Sequence, residues 1–150
     1  MTIKYNNVFI EDAYTICGNY ENDGPLSKYF DKKYEKDLYF GEKSWEQAEV
    51  HLLKEANTNI LKKNKLKEED IDLLISGDLQ NQIAASNYMA REFNIPFLDI
   101  FEACSTSGEG LAIGSAYIEG GFAKRILVST SSHNMAAEKQ FRNPKRRMEK

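Results

Sequence analysis

Short apolar runs alternate with amphipathic stretches along most of this chain, and that alternation limits the fold more than any other feature. Residues 71–76 (IDLLIS) stop at Gly77, residues 97–101 (FLDIF) follow Pro96, and residues 125–130 (RILVST) follow Gly120-Gly121. Runs this short and apolar, bounded by turn residues, read as strands buried in a parallel sheet. Residues 8–17 (VFIEDAYTIC) read as a further strand. The polar stretch GNYENDGPL comes next, then residues 27–39, read as a loop with one short helix.

The stretches between carry helical spacing. Ser44 with Gln47 has the spacing of a capping box. Trp45, Ala48, Leu52, Ala56 and Ile60 then recur every three or four residues as one apolar face. Lys62, Lys63 and Lys65 lie where cations suit a helix C-terminus. His51 falls off that face and reads as a solvated surface residue. A second helix is expected over residues 82–93, with Ile83, Ala85, Tyr88, Met89 and Phe93. A third covers residues 107–119, ended by Gly120-Gly121, and a last one residues 135–141. The order strand, loop, helix, strand, helix, strand, helix, strand, helix implies a layered α/β fold around a mostly parallel sheet.

Composition narrows the function classes. A net charge of -3 excludes a global nucleic-acid signature. Two cysteines, Cys17 and Cys104, are too few for a disulfide framework, so a reducing compartment is expected. The first residues carry no apolar leader core, and no apolar run approaches the roughly 20 residues that span a bilayer. Any membrane association would be peripheral. The sequence reads as one domain over residues 1–142, with a basic tail at residues 143–150 that reads as solvated and disordered.

In a parallel sheet, ligands bind where the strands end. Three loops leave such ends, and together they bring Asp78, Asn81, Cys104, Ser105, Thr106, Ser107, His133 and Asn134 to one edge. Cys104 stands just before a helix start, whose backbone N–H groups and positive dipole end favour a thiolate and an anionic ligand alike. A small buried hydrophobe is an equal reading. His133 could pair with Cys104 or merely form a turn. The helix behind Cys104 carries Gly108, Gly110, Ala112, Gly114, Ser115 and Ala116, which suits a central buried helix that neighbours approach closely.

The stretch FEACSTSGEGLAIGSAYIEGGFAKRILVSTSSHN resembles the nucleophile segment of thiolase-fold proteins, ketoacyl synthases included, with Cys104 at the acyl-accepting cysteine. The blocks DGPLSKYFDK, KSWEQAE, DIDLLISGDLQNQ, NYMAREFNIPF, EACSTSGE, GGFAKR and TSSHNMAAEKQFR, in that order within residues 7–142, are similar to those of the stage V sporulation protein AD family of endospore-forming bacteria. The resemblance implies one half of a thiolase-like fold, a mixed sheet flanked by helices. It implies a sporulation protein that binds dipicolinic acid or its calcium complex for uptake into the developing spore. No catalysis, no cofactor and no metal site of its own follow from it.

The same resemblance implies a homodimer formed through residues 97–101, with Asn81 and Gln82 near the interface. It also implies work beside the membrane proteins of the stage V sporulation A operon, at the cytoplasmic side of the forespore or spore inner membrane. Two other readings stand beside it. One is an acyltransferase with Cys104 as nucleophile, although the histidine and partner that activate this cysteine come from the family's second half, so His133 does not inherit their role. The other is a truncated half-domain without independent activity, since the family continues past the FR-x-P stretch where this chain gives KRRMEK. Such a half exposes an apolar face.

Overall fold

Strand β3 (Leu73–Gly77) lies between β4 (Phe97–Asp99) and β5 (Ile126–Thr130), and both neighbours run parallel to it. Leu74 pairs with Phe97 and Ile75 with Leu98, while Leu73 to Gly77 pair with Ile126 to Thr130. The computed structural model describes residues 2–142, apart from the side chains of Asn81 and of residues 140–142. The tail expected at residues 143–150 lies outside the described residues.

Alternation along β3 builds the layers. Leu74 and Ile75 are both fully buried and point to opposite faces. Leu74 joins Leu53, Leu61, Ile71, Ala85, Met89, Ala90 and Ile95 in the main core, under helices α2 (Trp45–Lys63) and α3 (Ala84–Ala90). Ile75 faces α4 (Thr106–Glu119), where Gly110 and Gly114 let the helix settle on Ile75 and Val128. α5 (Asn134–Arg142) packs beside α2. The parallel α/β expectation is therefore met, with strand ends trimmed by one or two residues.

Ser44 caps α2, its hydroxyl accepting the Gln47 N–H at 3.2 Å. Its buried face is not the stripe expected from spacing. Ala48, Leu53 and Leu61 are buried together with two polar residues, Glu49 and Asn57, whereas Leu52, Ala56 and Ile60 are half-buried. α3 is shorter than the helix expected over residues 82–93. Gln82 and Ile83 sit in the left-handed region at φ +60° and +53°, so the regular helix starts only at Ala84. α4 is not centrally buried. Thr106, Gly110 and Gly114 face the sheet, while Leu111, Ala112 and Tyr117 on the other side are exposed. Tyr117 and the 82 % exposed Phe122 stack edge-on there.

The strand expected over residues 8–17 shrinks to β1 (Ile16–Cys17), which pairs with β2 (Lys32–Lys33) in a small separate parallel ribbon. Helix α1 (Asn19–Asn22) and a 3-10 turn at Ser27–Tyr29 lie between the two strands. Residues 8–15 join no ladder. A cavity of about 600 Å3 stands between them and β5, lined in part by Ile10, Leu52, Ala56, Ile60, Ile118 and Val128. Side chains anchor the segment instead: Arg125 clasps Glu11 at 2.8 and 3.2 Å, and Lys63 reaches Asp12 at 3.0 Å. No helix among the described residues is long and apolar enough to cross a membrane.

Candidate functional site

Because β3, β4 and β5 are parallel, the loops after Gly77, Asp99 and Thr130 leave the sheet on one edge. The middle loop makes a sharp elbow. Ala103 is held at φ +46°, and a 3-10 turn, Ala103–Ser105, runs straight into α4. An alanine in the left-handed region is strained by roughly 1–2 kcal/mol. Cys104 stands on this elbow and is exposed, which removes the reading of it as a small buried hydrophobe.

The elbow also consumes donors that an anion would need. The Ser105 N–H donates to Glu102 O at 2.9 Å, and the Thr106 N–H to Ala103 O. The Ser105 hydroxyl donates to Glu102 O at 2.9 Å. Thr106, 2 % exposed, donates its hydroxyl to Ala103 O at 2.8 Å and accepts from the Glu102 N–H. Ser107 and Asn134 are exposed, and the Asn81 side chain lies outside the described residues. Ala103→Gly should leave thermal unfolding within about 1 kcal/mol of the parent, because relief of strain offsets the looser unfolded chain. Ala103→Val should lower stability by at least about 1 kcal/mol, since a β-branched residue fits the left-handed region poorly. Equal melting of both variants would show that this φ is not maintained.

Below the exposed residues lies a buried polar network. Asp78, 1 % exposed, accepts the backbone N–H of Gln80 at 2.8 Å and of Ser86 at 2.7 Å, so its carboxylate fastens the loop to the start of α3. Glu49 on α2 is fully buried. It accepts from Gln80 Nε2 at 2.9 Å and from the Ser131 hydroxyl at 2.8 Å, and the His133 backbone N–H also donates to it. Nothing in the sequence pattern singled out Glu49. Its only visible signal is an acid at helical spacing between Trp45 and Leu53, on the face that packs inward.

Burial pushes the Glu49 carboxyl above the usual carboxylate range, and the charge of Asp78 adds to the push against its three donors. Between the ordinary glutamate value and that raised one, the folded chain holds a proton that the unfolded chain has lost. This group's contribution to stability is therefore full below the ordinary value and is lost as pH rises through the raised one. Glu49→Gln, which cannot ionise, should flatten that part of the stability-versus-pH curve. Unchanged curvature in urea titrations across pH 4 to 8 (roughly the carboxylate-to-neutral span) would contradict the assignment.

His133 is buried and engaged at both ring nitrogens. Nε2 donates to Leu38 O at 2.8 Å, and Nδ1 accepts from Ala136 N–H at 3.4 Å, at the start of α5. Phe40 packs edge-on against its ring. The imidazole therefore ties the loop at residues 37–41 to α5 and has no nitrogen left for Cys104. His51 is not the solvated residue that its spacing implied. Its side chain is one-third exposed, with Nδ1 3.0 Å from Glu42 and Nε2 3.3 Å from the Tyr34 hydroxyl, which donates in turn to Glu55 at 2.8 Å. Lys32 pairs with the same Glu55. This chain holds the β2 segment on α2. The described residues contain no cluster of three or more histidine, cysteine or acidic groups suited to a metal ion.

A parallel sheet, a helix of small residues behind it and a cysteine on a tight strand-to-helix elbow define a thiolase-like α/β chain. The crystal structure of 3-oxoacyl-[acyl-carrier-protein] synthase III from Aquifex aeolicus VF5 shares the fold, with a TM-score of 0.51 and 23% identity over 61% of this chain and 30% of that one. The family model for stage V sporulation protein AD matches residues 1–149. The stage V sporulation protein AD of Bacillus subtilis (strain 168) is 52% identical over 137 residues, covering 91% of this chain and 40% of that protein. The chain belongs to the stage V sporulation protein AD family. It spans about 40% of the length of that curated relative.

Proposed function

We propose that the chain contributes to a non-catalytic small-ligand site used in sporulation, whose ligand is dipicolinate, taken up as its calcium complex. The observation that carries this reading is the family match over residues 1–149. The site chemistry supports it. The candidate residues at the strand ends include no lysine or arginine. Such a surface suits a dicarboxylate already neutralised by calcium better than the free dianion, which would need a cationic partner. Exposed Cys104, Ser105, Ser107 and Asn134 form the contact surface in this reading, together with Asn81. Asp78, Thr106 and His133 shape it from below.

The acyltransferase reading has the exposed Cys104 in its favour. Among the described residues neither histidine is free to serve it as a base, because both His133 nitrogens are engaged and His51 is held by Glu42 and Tyr34. In the proposed assembly β4, the outer strand of the order β4-β3-β5, pairs with its copy to form a homodimer, and the complex works peripherally beside membrane proteins of the same sporulation operon. Calorimetry should give a binding heat when the purified chain is titrated with equimolar calcium and dipicolinate, and a weaker one with dipicolinate alone. No heat from a folded sample at millimolar ligand would count decisively against the reading.

A further inference from the structure

One buried group belongs to no surface described above, yet it touches two of the three loops that build the site. Glu49 projects from α2 into the sheet edge, fully buried, and takes donors from the loops after the central strand β3 and its neighbour β5. Gln80 belongs to the loop after β3, whereas Ser131 and His133 belong to the loop after β5. The Ser129 and Ser76 hydroxyls join β5 to β3 at 3.1 Å, and the Ser76 and Ser86 hydroxyls join β3 to α3 at 3.4 Å. A buried carboxylate is costly unless each oxygen is answered by donors. Three donors meeting on two oxygens fix the relative position of the loops that supply them.

We propose that Glu49 is a positioning residue: its carboxyl group locks the loop after β3 to the loop after β5, and so fixes two of the three loops that leave the sheet on the same edge as the Cys104 elbow. The inference deepens the ligand-site reading and rests on it for the ligand alone. The charged and titratable groups around the lock are Asp78 from the β3 loop, His133 from the β5 loop, and the Lys139–Glu46 pair that joins α5 to the first turn of α2. A purely space-filling role would be served as well by an apolar side chain of similar size. A locking role would not, because Gln80, Ser131 and the His133 N–H would lose their acceptor.

The test compares Glu49→Leu, Glu49→Gln and Ser131→Ala with the parent chain by amide hydrogen exchange, each sample shown to be folded. Glu49→Leu should speed exchange at residues 78–80 and 131–133 by about tenfold or more, the factor for one lost buried hydrogen bond, while Leu74 and Ile75 stay protected. Glu49→Gln keeps an acceptor for Gln80 and should fall between. Ser131→Ala should loosen residues 131–133 alone. Calcium dipicolinate affinity, measured by calorimetry on the same samples, should follow the same ranking, with glutamine rescuing part of the leucine loss. Uniform acceleration along the chain, or unchanged exchange in both loops, would overturn the proposal. If the parent binds no calcium dipicolinate, the ligand reading fails, and the loop-exchange pattern still decides the role of Glu49.

Discussion

Gly77→Ala is expected to lower stability by about 3 kcal/mol, a fall of roughly 10 °C in melting temperature for a chain of this size. A Cβ at residue 77 would lie 2.2 Å from Ile100 O and 2.6 Å from Thr106 Cγ2. The first obstacle is backbone, so no rotamer change relieves it. Alanine would otherwise gain about 0.5–1 kcal/mol over glycine in a strand through reduced chain entropy. Steric overlap exceeds that gain, and the net sign is destabilising. Gly110→Ala provides the comparison. There the 2.6 Å neighbour is Val128 Cγ1, a side chain that can shift, so the loss should be smaller. Thermal unfolding followed by circular dichroism reads both variants. A Gly77→Ala midpoint within about 2 °C of the parent would mean that β3, the end of β4 and the start of α4 do not meet this closely.

Leu74→Ala should also remove about 3 kcal/mol, within the range for leucine truncation in a core that cannot collapse. Leu74 is fully buried on the central strand, and the residues around it come from α2, α3 and the segments flanking β3 and β4. A void there would border most of the elements at once. Leu111→Ala, on the outer side of α4 and 46 % exposed, should change stability by less than about 0.5 kcal/mol. Urea midpoints separate the two. Equal losses would show that the outer face of α4 is covered in the folded chain.

The elements that were legible in the sequence are those whose signal is local. Ser44 announced α2 because a cap depends on three neighbouring residues. Gly120-Gly121 announced the end of α4, where Gly121 takes φ +75°. Residues 71–76, 97–101 and 125–130 were readable as parallel strands because both faces are apolar. Residues 8–15 carry the same composition but no ladder, since a strand also needs a neighbour at bonding distance and a cavity stands beside them. The late start of α3 after Gln82 and Ile83 was equally hidden, for neither residue type favours the left-handed region.

For the site, the elbow at Cys104 was visible as a strand end meeting a small-residue helix. Its supporting layer was not. Glu49 is bonded to groups 31 and 82 residues away, and a carboxylate on a helix of mixed charge gives no sign of such partners. His133 was readable as a loop histidine, but its two anchors, Leu38 O and Ala136 N, become apparent only after the fold brings them together.

The strand order β4-β3-β5 has a consequence for the order of assembly. Leu74 finds Phe97 across a short crossover, whereas Leu73 must wait for Ile126. Closing the longer loop costs more chain entropy, so the β3–β4 unit is the earlier one to form and β5 joins it afterwards. Ser131 and His133 follow β5, which places the clasp on Glu49 at the end of folding. Changes to that clasp should therefore act on how fast the native chain opens, and leave the rate at which it first folds almost untouched.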